Sequence, residues 1–167
     1  SPHVLIKLGL ERLPAVPGLA ASPCAVLGQI EIDHVSVTFA SVALPALEGP
    51  QQRAWQMEAL LDRIAAYDRY LPVLIGGDMA TVPLATDGDL RRPAIREPMF
   101  ELLRKRGYDW RACNLPLMRS GRGQDRKRLW FFSRGLVCDE PAIVPALDGA
   151  GPPMGSHDAI TLRIRPG

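Results

Sequence analysis

The segment LPVLIGGD, residues 71–78, constrains the fold more than any other part of the sequence. Its first residues form a short apolar run, which is typical of a strand buried on both faces of a sheet. Gly76 and Gly77 permit a sharp backbone turn, which would place the carboxylate of Asp78 at the rim of that sheet. Because an aspartate after two glycines often only caps a turn, the segment alone predicts a buried strand and a polar rim.

Residues 51–70 precede this strand and have the spacing of an amphipathic helix. Charged residues, Arg53 among them, mostly lie off the apolar stripe, so the helix is expected to cover a sheet. The residues of the stripe are Trp55, Met57, Leu60, Leu61, Ile64 and Ala65. A second helix is predicted over residues 98–106, with Gly107 as its capping glycine.

Five further runs predict strands, and the first twenty residues predict an extended segment. AVLGQIEI and HVSVTFASVAL are separated by Asp33, and Val35, Val37 and Phe39 alternate with polar neighbours as in a half-buried strand. LWFFSRGL, PAIVPAL and AITLRI follow later in the chain. Since the helices lie between strands, the predicted fold class is α/β of the α+β kind, a mixed sheet with helices outside. One domain over residues 1–167 is expected.

The composition excludes several classes of protein. The 47% hydrophobic and 23% charged residues are typical of a soluble globular chain, and no apolar stretch is long enough for a membrane span. The net charge of +2 neither requires nor excludes a nucleic-acid partner. Cys24, Cys113 and Cys138 share no close spacing, and their odd number predicts free thiols and a reducing, cytoplasmic location.

The segment GSHDAITL, residues 155–162, contains the second candidate for chemistry. His157 lies just before the last apolar run, where a loop histidine can reach a cleft. A histidine beside an aspartate is more often part of a solvated turn, so this motif is also weak on its own.

The order of these motifs carries more information than either alone. GGD-x-x-T, then the aromatic RLWFFSRGL, then SHDAITLRI resemble the endonuclease/exonuclease/phosphatase superfamily, and the resemblance runs from Ala25 to Pro166. It implies two stacked mixed β-sheets with helices on their outer faces and an active site at one rim. It also implies magnesium-dependent phosphodiesterase or phosphatase chemistry, in which cations and fixed donors stabilise the charge on the phosphoryl oxygens. Asp78 and His157 take catalytic positions in this resemblance, and we expect them to meet at a common cleft.

Four positions depart from the pattern of the superfamily. Alanine replaces a histidine at the end of an earlier strand and an asparagine two residues after Asp78. Leucine replaces the aspartate of the aromatic strand, and serine replaces the aspartate before His157. These positions are Ala43, Ala80, Leu129 and Ser156. A misplaced register at one or two of them is the alternative explanation.

Nothing before Ala25 resembles the asparagine and glutamate metal ligand of the superfamily's N-terminal half, so that part of the sandwich is expected to be missing. The metal ligands are therefore unknown. With the four replacements, this predicts an impaired activity.

Two functions from different classes remain open. The first is a magnesium-dependent phosphoester hydrolase with impaired activity. The second is a non-catalytic pseudoenzyme module that binds a phosphorylated ligand or a protein partner. Arg126 and Arg128, in a basic loop, are weak candidates for phosphate binding, although such loops are more often simply solvated. The substrate class, whether small molecule, lipid or nucleic acid, is left open, and a second chain is expected to cover the incomplete sandwich.

Overall fold

The computed structural model describes residues 7–9, 24–44, 49–67, 69–81, 97–114, 129–144 and 159–167. Within these ranges two helices are present, α1 (Pro50–Tyr67) and α2 (Met99–Lys105). The strands are β1 (Lys7–Gly9), β2 (Cys24–Ile32), β3 (Val35–Ala43), β4 (Val73–Asp78), β5 (Leu129–Arg134), β6 (Leu136–Val144) and β7 (Ala159–Pro166).

The strands form two sheets. The first has the order β1-β2-β3-β4-β5, in which β3 and β4 run parallel and every other pair is antiparallel. The second sheet, in the part of the chain that is described, is the antiparallel pair β6-β7. The predicted mixed sheet, second sheet and external helices are thus confirmed. β1 adds a pairing with β2 that the proline-rich start of the chain did not predict.

Helices α1 and α2 cover one face of the first sheet. The buried sheet residues on this face include Leu27, Ala40 and Ile75, and they belong to one apolar cluster with Met57 of α1 and Phe100 of α2. Phe100 is fully buried and makes edge-on contacts with three further rings, at centroid distances of 4.7–5.4 Å. Burying one such side chain stabilises the fold by about 1.5–3 kcal/mol, so α2 is firmly attached to the sheet.

Helix α1 corrects two sequence assignments. Trp55, expected on the buried stripe, is 49% exposed, whereas Arg53, expected off it, is 2% exposed. Arg53 is buried because its guanidinium forms a two-pronged ion pair with the fully buried Glu97. The helix also ends at Tyr67 instead of residue 70.

Strand β4 was expected to be buried on both faces, and this was wrong for one of them. Val73 and Ile75 are completely buried beneath the helices, whereas Leu74 and Gly76 are half-buried on the opposite face. Ile160 of β7 faces this second side of the sheet, but a cavity lies between them, so the second face is only partly covered.

The remaining boundaries agree with the sequence or move by a few residues. Gly107 follows α2 with φ +82°, the left-handed conformation of a capping glycine. β6 begins at Leu136, five residues before the predicted PAIVPAL run. Neither helix in the described ranges combines the length and apolar character needed to cross a bilayer. The single-domain prediction stays a prediction.

The outer edge of β5 is paired by groups that do not belong to a strand. Backbone N–H and C=O of Asp109 exchange two hydrogen bonds of 2.8 Å with Ser133. The side chain of Asn114 accepts from Phe131 N–H at 3.1 Å and donates to Phe131 C=O at 2.7 Å. The backbone N–H and C=O groups that Phe131 and Ser133 direct away from β4 are therefore hydrogen-bonded.

Candidate functional site

The ends of three adjacent strands bring three of the candidate positions into one row. In the register of the sheet, Asp78 pairs with Ala43 on one side and with Leu129 on the other. The backbone N–H of Leu44 donates to the C=O of Asp78 at 2.8 Å, which joins the ends of β3 and β4. The row therefore has one carboxylate between two apolar side chains.

The turn after β4 is shaped by the same carboxylate. Asp78 Oδ1 accepts a hydrogen bond of 2.8 Å from the backbone N–H of Ala80. This is an aspartate turn, in which the side chain replaces a backbone acceptor. Ala80 has φ +47°, in the left-handed region that costs an alanine about 1–2 kcal/mol and that asparagine tolerates better. The position at which the resemblance implies an asparagine therefore has a backbone suited to one.

Gly76 and Gly77 are required by close packing between strands. A Cβ on Gly77, which has φ +143°, would lie 1.9 Å from the carbonyl oxygen of Val42. A Cβ on Gly76 would lie 2.6 Å from the ring of Phe131 on the neighbouring strand. The sequence predicted these glycines as the turn itself. In the structure both are strand residues, and the chain turns after Asp78.

A further contact, to which the sequence gave no role, fixes the end of this turn. Trp130 Nε1 donates to Thr81 Oγ1 at 3.3 Å, and both side chains are buried. The bond ties the turn after β4 to the aromatic strand β5. Both residues belong to motifs that the sequence singled out, Thr81 to GGD-x-x-T and Trp130 to LWFF. Their contact could not be predicted, because it depends on the long-range pairing of β4 with β5.

The other candidate residues, Arg126, Arg128, Ser156 and His157, lie outside the described residues. A common cleft for Asp78 and His157 therefore stays a prediction. Among the residues that are described, no group of three or more His, Cys, Asp or Glu side chains could hold a metal ion. Because the side chains of Ala43 and Leu129 have no ligand atoms, the side chains of this row do not form a magnesium site by themselves.

A cavity of about 310 Å³ lies on the half-covered face of the sheet, next to this row. Phe39, Leu74 and Phe131 line it from the first sheet, Ile160 lines it from β7, and Leu129 lies where the cavity meets the rim. Its lining is mainly apolar, which favours apolar groups, since a phosphate would lose its hydration there without compensation. The cavity belongs to the space between the two sheets.

No protein-family model matches this chain, and no curated protein sequence matches it. Several solved structures do match the chain in fold. An endonuclease/exonuclease/phosphatase protein from Beutenbergia cavernae superposes on 98% of the chain with a TM-score of 0.64 and 12% identity. Humanized TDP2 of D. rerio superposes on 96% with a TM-score of 0.61 and 16% identity. The human Nocturnin catalytic domain, solved with a bound sulfate anion, superposes on 83% with a TM-score of 0.61 and 14% identity.

These likenesses define the fold. The chain has the fold of the endonuclease/exonuclease/phosphatase proteins, which confirms the resemblance expected from the sequence. It spans 45% of the Beutenbergia chain, 66% of the TDP2 chain and 51% of the Nocturnin chain.

Proposed function

We propose that this chain is a phosphoester hydrolase domain whose activity is impaired, with Asp78 and His157 as its retained catalytic groups. The observation that carries the proposal is the row at the strand ends, in which Asp78 lies at the rim between Ala43 and Leu129. The fold supports the class of chemistry, and the composition of the row supports its impairment. Magnesium is the cation that the resemblance implies, and a phosphorylated small molecule, lipid or nucleic acid is the class of substrate.

The impairment follows from what each replacement removes. Ala80 has no side-chain donor for a phosphoryl oxygen, and one lost donor of this kind typically costs about 10²–10³ in rate. Leu129 cannot accept a hydrogen bond from an imidazole, so it cannot fix the tautomer of a catalytic histidine. Groups that act as a unit do not contribute additively, so the loss in rate is not the product of the single losses.

The alternative is a non-catalytic module that binds a phosphorylated ligand or a protein. It is favoured by the same row, because alanine and leucine on both sides of Asp78 leave a rim better suited to contact than to phosphoryl transfer. Arg126 and Arg128 are the residues that we propose for phosphate contact in either case. The two proposals differ in whether the chain needs magnesium.

The test is the magnesium-dependent release of nitrophenol from bis(p-nitrophenyl) phosphate. The wild-type chain should have a low rate that Asp78→Asn abolishes, because this change keeps the shape of the side chain and removes its charge. The double variant Ala80→Asn with Leu129→Asp should raise the rate by about 10² or more, since it returns a donor and an acceptor. Asp62→Asn, on the exposed side of α1, is the matched control and should have no effect.

Two results would contradict the hydrolase. One is a wild-type rate equal to that of Asp78→Asn together with no gain in the double variant. The other is calorimetry that detects no magnesium binding by the wild-type chain. Both outcomes would favour the non-catalytic module, whereas micromolar magnesium affinity would contradict that module.

We further propose that a second protein chain covers the half-exposed face of the sandwich. Phe39, Leu74 and Phe131 are only half-buried on that face, and Ile143 and Val144 of β6 are 39% and 47% exposed. Apolar side chains in this number favour association. A monodisperse monomer in light scattering at high concentration would contradict the proposal. A reducing, cytoplasmic location is proposed as well, supported by the free thiols of Cys113 and Cys138.

A further inference from the structure

Two cysteines that are distant in sequence meet inside the protein. Cys113 lies in the turn after Trp110, and Cys138 lies in β6 of the second sheet. Their sulfur atoms are 2.7 Å apart, and the two residues are 1% and 5% exposed. Because the side chains already point at each other, little movement separates this contact from a covalent bond.

The surroundings make the two sulfurs chemically unequal. The thiol of Cys113 donates to the sulfur of Cys138, and this hydrogen bond lowers the pKa of Cys138 to about 7. The Ser133 hydroxyl also lowers that pKa, whereas burial and the carboxylates of Asp139 and Asp109 oppose the shift. The pKa of Cys113 is raised, first by its hydrogen bond to Cys138 and second by burial. The lowered pKa of Cys138 therefore favours a thiolate acceptor beside the thiol donor of Cys113 near neutral pH.

We propose that Cys113 and Cys138 form a peroxide-sensitive dithiol site that closes into a reversible disulfide. The pair stands outside the rim row and does not depend on the hydrolase proposal. Burial selects the oxidant, because hydrogen peroxide is small whereas a bulky disulfide such as oxidised glutathione has no access to the sulfurs. Neighbouring thiols with one thiolate are the arrangement in which a sulfenic acid is rapidly resolved.

The thiolate of Cys138 attacks one oxygen of hydrogen peroxide, the O–O bond breaks, and hydroxide leaves a sulfenic acid on Cys138. The sulfur of Cys113 then attacks the Cys138 sulfur, the S–O bond breaks, and the S–S bond forms. The hydroxide of the second step takes the thiol proton of Cys113, and the hydroxide of the first step takes from solvent the proton that Cys138 released when it ionised. Two thiols are thus oxidised to the disulfide while one peroxide is reduced to two waters.

The bond would connect the turn after Trp110 to β6 of the second sheet. The sulfurs must approach by about 0.7 Å to reach bonding distance. Asn114, next to Cys113, is hydrogen-bonded to β5, so the disulfide would add a second covalent link between this edge of the first sheet and β6, which already follows β5 through Gly135. Closing the ring of residues 113–138 restricts the unfolded chain, and we expect the Tm to rise by about 10 °C.

The experiment treats the reduced full chain with stoichiometric hydrogen peroxide. We expect the intact mass to fall by about 2 Da and a non-reducing peptide map to join the peptides of Cys113 and Cys138. Dithiothreitol should reverse both changes and the rise in Tm. Because about a tenfold larger fraction of Cys138 is thiolate at pH 8 than at pH 6, the rate of bond formation should rise about tenfold over that interval.

The controls separate this site from ordinary oxidation. Cys113→Ser and Cys138→Ser should each abolish the loss of mass, whereas Cys24→Ser should leave it unchanged. The wild-type peptide map decides the proposal even if a serine variant fails to fold. A disulfide that includes Cys24, sulfinic acid without a crosslink, or a rate independent of pH would overturn it.

Discussion

The buried ion pair between α1 and the residue that precedes α2 permits a sharp test of what holds the helices to the sheet. Arg53 Nη2 lies 2.6 Å from Glu97 Oε1, and Arg53 Nε lies 3.2 Å from Glu97 Oε2. The two side chains are 3% and 0% exposed. Such a two-pronged pair fixes the position of both groups.

Replacing Glu97 by alanine would leave the Arg53 guanidinium buried without this carboxylate. Breaking a buried pair from one side typically costs about 3–5 kcal/mol, because the remaining charge keeps its desolvation penalty. Whole domains are stable by only about 5–15 kcal/mol, so this single change should remove a large share of the total. Replacing both partners, as Arg53→Met with Glu97→Leu, should cost less than Glu97→Ala alone.

The assay is urea unfolding followed by tryptophan fluorescence. With a typical slope of about 2 kcal/mol per molar urea, the midpoint of Glu97→Ala should fall by about 2 M. The matched control is Glu101→Ala on α2, which breaks an Arg–Glu pair of similar geometry, at 2.7 and 2.9 Å from Arg104. Those two side chains are 58% and 42% exposed, and the control should hardly move the midpoint.

Equal midpoints in the two single variants would refute the stabilising role of the buried ion pair. A double replacement that is less stable than Glu97→Ala would also refute it, because the main cost would then lie in lost packing and not in the loss of the ion pair. Unchanged slopes in all variants are needed for these comparisons.

Three further predictions concern the backbone, the pH dependence and the sheet edge. Gly77→Ala should cost several kcal/mol or prevent folding, because its Cβ would collide with the carbonyl oxygen of Val42. Among the described residues, the nearest atom to a Cβ on Gly107 is 3.7 Å away, so Gly107→Ala should cost only about 1 kcal/mol, and equal Tm values would contradict this. Burial raises the pKa of Tyr108, so the stability that its neutral hydroxyl contributes is complete below the ordinary tyrosine pKa and is lost as pH rises through the raised value. Urea midpoints of the wild-type chain should therefore fall above about pH 10, and those of Tyr108→Phe should fall less. Identical pH profiles for the two chains would refute this prediction. Asn114→Ala should cost about 1–3 kcal/mol in the same assay because it leaves the N–H and C=O of Phe131 without their partner. Asn114→Asp should cost at least as much, because it turns a buried carboxylate oxygen towards the carbonyl oxygens of Phe131 and Trp110, to which the amide now donates at 2.7 Å.

The strands could be predicted from the sequence because their signals are local. Alternation in β3 and the apolar run of β4 each identified a strand within a few residues of its observed ends. The alternation did not reveal which face of β3 meets the helices. That face includes Thr38 and Ala40, whose side chains are small and buried. Hydrophobicity alone points to Val37 and Phe39, which lie on the other face.

Contacts between distant residues explain what the sequence did not predict. The helical period gives Arg53 an ordinary surface position, whereas in the structure it is buried in an ion pair with Glu97, 44 residues away in the chain. The sulfur contact of Cys113 and Cys138 joins residues 25 apart in two different elements. The candidate site shows the same difference between local and long-range signals. Asp78 was identified from the end of its own strand, whereas its row with Ala43 and Leu129 follows from the pairing of three strands.

The outer edge of β5 bears on how copies of this protein can meet. An open strand edge invites another chain to add a strand and thereby leads to aggregation. Here Asn114 and Asp109 already occupy the hydrogen-bonding groups of Phe131 and Ser133. Growth of the first sheet by strand addition at β5 is therefore blocked at these two residues, and a chain that joins the molecule on this side has to use side-chain contacts.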